Sequence, residues 1–137
     1  MNRLLIVGIT LALGASACAA HAQSAQDEIS TAHAHALMAQ NATSVAMAHT
    51  HLHHVINCLV GPGGNGFDAD AGDPCKGKGA MAASSADHAL HAKLQSALGD
   101  AQAGLKSESL AAVQQDAGKT AAGLQDAATP HASSSGW

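Results

Sequence analysis

Ten histidines stand against six lysines and arginines in this chain of 137 residues, and they are grouped. His33 and His35 come first. His49-Thr50-His51-Leu52-His53-His54 is a dense run, and His88 and His91 follow. Neutral imidazole is the commonest metal ligand near physiological pH. On a helix, His49 and His53 are four residues apart, while His51/His54 and His88/His91 are three apart. Each pair holds its Cβ atoms about 5–6 Å from one another, close enough to chelate one ion. The eight residues His33, His35, His49, His51, His53, His54, His88 and His91 are therefore candidate ligands for a divalent transition metal ion. His21 and His131 read as solvated polar residues.

Spacing also suggests which histidines share an ion. His49 precedes Cys58 by about 13 Å of helix, and His88 lies about 12 Å into a helix starting at Ala80. In an antiparallel pair these depths match, which favours a site of His49, His53 and His88 or His91. His35 sits about 21 Å from His49 along a continuous helix and would need a separate site, with His33 as its neighbour. Met38, Met47 and Met81 offer thioethers for Cu(I) or Ag(I), although methionines spaced singly are more commonly core. The histidine run contains no carboxylate, and no HExxH is present, so the usual zinc-hydrolase signature is missing. The chain reads as a binding protein and not an enzyme. The competing reading is a non-catalytic structural or stress-related helical module whose histidines only solvate it or sense pH.

Two other ligand chemistries fit less well. Asp68-Ala69-Asp70-Ala71-Gly72-Asp73 resembles the start of a calcium loop, but Gly72 and Asp73 occupy the fifth and sixth positions and Gly79 stands where a bidentate Glu belongs. A polar turn explains it equally. Haem would need CxxCH or a wide apolar pocket, and one Phe among many alanines supplies neither. The formal charge of −4 and the 1% of aromatic residues argue against nucleic acid as a partner.

The elements that carry these residues begin after an address. Met1-Asn2-Arg3, the apolar run Leu4 to Leu13, and Ala20-His21-Ala22 before Gln23 follow the pattern of a secretory signal peptide over residues 1–22. The apolar run is too short for a comfortable bilayer span, so no stable membrane insertion is expected. Ala15-Ser16-Ala17-Cys18 is a poor lipobox. Export to the periplasm leaves five lysines against ten acids and two cysteines, Cys58 and Cys75. In an oxidising compartment these pair. The bridge would close a Gly-rich loop over residues 61–79 and stabilise by about 3 kcal/mol on the chain-entropy model.

The remainder, residues 23–128, predicts an all-α domain, an antiparallel three- or four-helix bundle rich in alanine. From Asp27 to Val60 one apolar stripe runs through Met38, Val45, Leu52, Ile56 and Leu59. The stretch Gln40 to Ser44 leaves one helix or two open, with Thr43 or Ser44 as the second cap. A further helix spans about Ala80 to Leu98, and Gly99 and Gly104 weaken it beyond that. A last helix capped by Ser107 carries Leu110, Val113, Ala117, Ala121, Leu124 and Ala128. Residues 129–137 read as a tail. Large apolar side chains are few, which makes the staple physically useful.

An exported, alanine-rich, histidine-loaded helical chain of this kind resembles the bacterial small metal-binding protein family. It is also similar in style to periplasmic copper- and silver-sequestering proteins. The resemblance is carried by the eight histidines above over residues 27–128. It implies scavenging or buffering of divalent metal, with Cu(II) first, then Ni(II) and Zn(II).

Overall fold

The computed structural model describes residues 16–129 of the protein. Residues 1–15 of the expected leader 1–22, and the tail beyond Thr129, lie outside the described residues. Within them the chain is all-helical: α1 Ser16–Gln40, α2 Val45–Val60, α3 Ala80–Ala83, α4 His88–Lys106 and α5 Leu110–Ala128. No described helix is long and apolar enough to cross a membrane.

The open question between one helix and two is decided at Asn41. Its backbone N–H and its Nδ2 both donate to the carbonyl of Leu37, which closes the end of α1. Ser44 then caps α2, its hydroxyl accepting from the N–H of Met47. The two helices fold back as a hairpin. This resets the phase of the apolar pattern. Leu52, Ile56 and Leu59 are buried as expected, but Met38 is exposed. The inward face of α1 is instead Ala25, Ile29, Ala32, Ala36 and Ala39, a stripe with a single large side chain.

Two other boundaries differ from expectation. The helix expected from Ala80 to Leu98 is two helices, because the Asp87 carboxylate accepts from the N–H of Leu90 and starts α4 afresh at His88. Short polar side chains favour such caps over helix interiors. The last helix is capped by Ser109, not Ser107; Ser109 accepts from the N–H of Ala112. Gly104 does not end α4. A Cβ there would lie 2.6 Å from Leu52 Cδ1, so the glycine lets α4 pass close to α2.

α1 packs against α2 and α5, while α4 packs against α5 and α2. The core between them is Ile29, Leu52, Val55, Ile56, Leu59, Leu94, Val113 and Leu124, filled out with alanines. Gln114 Nε2 donates to the Ala42 carbonyl and ties α5 to the α1–α2 turn.

The loop 61–79 is organised as the cysteine count predicted. Cys58 and Cys75 form a disulfide with Cα atoms 5.3 Å apart. Gly61 and Gly79, at φ 68° and 95°, bring the two ends of the loop together. A Cβ on either would collide with the other strand's backbone. Inside the loop the acids make turns. Asp68 Oδ1 accepts from the N–H groups of Asp70 and Ala71, and Asp73 Oδ1 from those of Cys75 and Lys76.

Candidate metal centre

The hairpin sets the site. His35 lies five residues before the end of α1 and His51 six residues after the start of α2. Folding one helix back on the other therefore puts them at the same depth. Their Nδ1 atoms are 3.2 Å apart. His54, one turn beyond His51 on α2, completes the group. The ring centroids are 5.4 Å apart for His35/His51, 4.7 Å for His35/His54 and 6.0 Å for His51/His54. One nitrogen from each ring falls within 4.8 Å of the others. All three rings are half-buried.

His54 is held in one tautomer by its surroundings. Its Nε2 is 2.8 Å from the carbonyl oxygen of Ala71. A carbonyl only accepts, so Nε2 carries the proton and the Nδ1 lone pair is free. That Nδ1 is buried and has no hydrogen-bond partner among the described residues. A ring N–H anchored on a carbonyl, with the other nitrogen bare, is the arrangement by which proteins orient a metal-bound imidazole. Two nitrogens bound tetrahedrally at 2.0–2.1 Å would be about 3.3 Å apart, close to the His35–His51 separation. Three imidazoles suit Zn(II), Cu(II) or Ni(II) and leave a fourth position for solvent or another ligand.

The electrostatics favour neutral rings. Burial lowers the pKa of His35, and the nearby His54 and His51 rings lower it further. Burial, then His54, lowers that of His51. Half-buried His35 and His51 resist protonation because an added charge there is poorly solvated.

Behind His54 stands Asn57, which the sequence reading passed over. It is buried, and its Nδ2 donates to the carbonyls of Asp68 and Gly72, each at 2.7 Å. Its Oδ1 accepts from the N–H of Asp68 at 2.9 Å. One side chain thus grips both sides of the turn that offers the Ala71 carbonyl. The signal for it was present: an amide inside the apolar run from Val55 to Val60 must find partners when buried. Glu28 is a second buried polar residue of this kind. Its Oε1 accepts from the N–H of Gly79 at 3.0 Å, while Oε2 has no hydrogen-bond partner among the described residues. Burial raises its pKa, the Gly79 hydrogen bond opposes this, and Asp73 adds to the rise.

The other predicted ligands are placed elsewhere. His49 Nε2 donates to the carbonyl of Ser107 at 3.1 Å, and His91 Nδ1 to that of Met81 at 3.3 Å. His53 Nδ1 lies 3.4 Å from Asp68 Oδ2. His88 is exposed at the start of α4, and His33 is half-buried on α1. The fold therefore does not assemble the expected site of His49, His53 and His88 or His91. His35 is not separate from the dense run, since it joins His51 and His54. Among the described residues, no second group of three His, Cys, Asp or Glu side chains comes together as closely.

The chain matches no protein-family model, and no similar curated protein or solved structure is found. What the site does must be argued from its chemistry.

Proposed function

We propose that the protein binds a divalent transition metal ion, Cu(II), Ni(II) or Zn(II), through His35, His51 and His54, and that it acts in the periplasm as a sequestering or buffering protein without catalysis. The observation that carries this reading is the convergence of one nitrogen from each of three imidazoles within 4.8 Å; the His54 ring in that group is anchored on Ala71 and its Nδ1 is buried. The signal-type leader and the Cys58–Cys75 disulfide support export. The packing of α1, α2, α4 and α5 supports an antiparallel four-membered bundle as the scaffold. We assign copper first, because affinity for nitrogen sites peaks at Cu(II) among the divalent first-row ions.

Competition titrations with Cu(II) and Zn(II) test the assignment. Replacing His54 by Ala, or His35 and His51 together, is expected to lower affinity about tenfold or more. Replacing His49 alone is expected to leave it within about twofold, because its ring is turned to the Ser107 carbonyl and not to the triad. Equal losses in both variants, or a loss only in the second, would refute the triad.

A further inference from the structure

We propose that Met38 and Met47 extend the imidazole group into a mixed thioether–imidazole site that accepts a soft monovalent cation, Cu(I) or Ag(I). This deepens the reading of the His35, His51 and His54 centre and rests on it.

The first observation is exposure. Met38 and Met47 are 49% and 48% exposed, whereas Met81 packs against the core. Large apolar side chains are scarce in this chain, yet two of them are spent on the surface beside the histidines. The second observation is register. The 3.2 Å approach of His35 and His51 fixes which faces of α1 and α2 meet. One helical turn from there toward the hairpin bend is three residues on along α1 and four residues back along α2. Those positions are Met38 and Met47. His35 and Met38 share one stripe of α1 at i,i+3, and Met47, His51 and His54 share one stripe of α2 at i, i+4, i+7. Neighbours within each stripe, His35/Met38, Met47/His51 and His51/His54, have Cβ atoms about 5–6 Å apart. A methionine has three rotatable bonds and can swing its sulfur across such a gap. Leu37 is also exposed, but it lies about 100° around α1 from Met38 and offers no ligand atom.

Soft thioethers select Cu(I) and Ag(I), while borderline Zn(II) prefers imidazole nitrogen. The two sulfurs would therefore change which ions the centre holds, more than how tightly it holds Zn(II). Thioethers also carry no proton at any ordinary pH, so protons compete for fewer of the ligands.

Ag(I), supplied as nitrate in chloride-free buffer, is the probe. It needs no reductant, so the Cys58–Cys75 bridge stays intact. In the unmodified protein, one equivalent of Ag(I) is expected to shift the εCH3 resonances of Met38 and Met47 and leave that of Met81 in place. The double variant M38L/M47L keeps side-chain volume. It is expected to lose about tenfold or more in Ag(I) affinity and to bind Zn(II) within about twofold of the parent. Unmoved methyl resonances, or full Ag(I) affinity in the double variant, would overturn the thioether site. An equal loss for Zn(II) would overturn its selectivity. Failure of the imidazole centre itself reads differently: His35→Ala and His54→Ala would then leave Zn(II) binding unchanged.

Discussion

His54 shows how little of a metal ligand resides in its own residue type. Eight candidate histidines are chemically alike, and their hydrogen bonds separate them. His49 and His91 each turn a ring nitrogen to a backbone carbonyl outside the group, whereas His54 uses one nitrogen for Ala71 and keeps the other bare. The same environment makes the group sensitive to pH. His35 and His51 have pKa values lowered from 6.5, chiefly by burial. The unfolded chain then binds more protons than the folded one between the lowered values and 6.5, so folding stability rises with pH through that window. The stabilisation is complete above about pH 6.5 and is lost as pH falls through the folded values. Metal-free protein is expected to show a falling melting temperature from pH 7 to 5. The double variant His35→Ala with His51→Ala is expected to have a flatter profile. Parallel profiles would show that other groups dominate. Metal affinity should fall over the same range, because protons and ion compete for the same lone pairs.

At the scale of elements, the α1–α2 hairpin and the loop 61–79 each contribute one half of the site. The hairpin brings His35 to His51, and the loop holds His54. Asn57 joins the two, since it sits on α2 and bonds the loop at Asp68 and Gly72. Replacing Asn57 by Ala removes three hydrogen bonds and leaves part-buried backbone groups of Asp68 and Gly72 without that partner, at a cost of about 1–3 kcal/mol. Because Ala71 then loses its support, metal affinity is expected to fall about tenfold as well, although Asn57 is no ligand. Thermal melting and a Zn(II) titration on the same variant check both. A stability loss with unchanged affinity would show that the loop does not position His54. Much at this scale was legible beforehand. A cap at Thr43 or Ser44, the glycine loop and the disulfide are local signals. The split at Asp87 was missed because a four-residue helix leaves no periodicity to read, and the stripe through Met38 failed because it assumed a continuous helix.

For the whole molecule the controlling fact is a thin core. Among the described residues eight large aliphatic side chains are buried, and alanines fill the rest of the core. Little apolar area is removed from water per residue, so the staple and any bound ion matter more than in a richer core. An ion that binds only the folded state adds about 2.7 kcal/mol when present at a hundred times its dissociation constant. Zn(II) at that excess is therefore expected to raise the melting temperature by several degrees or more. The shift should disappear in His54→Ala. An unchanged shift in that variant would place the ion elsewhere on the chain.

Local chemistry along the chain determined the helices, the loop, the cysteine pair and the concentration of imidazole, because each depends on neighbours within a few residues. Which imidazoles meet was decided only by the tertiary structure. The candidates were compared by distance along a helix, and on that measure His35 is remote from His51. A four-residue turn at 41–44 reverses the chain and makes them neighbours. Whether Gln40 to Ser44 bends or continues, and how far each helix then rotates, depends on burying Ile29 and the alanines of α1 against α2 and α5. That is a property of packing across the whole molecule, and no spacing within one helix encodes it. Asn57 and Glu28 follow the same logic. Their partners lie 11 to 51 residues away, and only the folded chain supplies the backbone groups that make their burial tolerable.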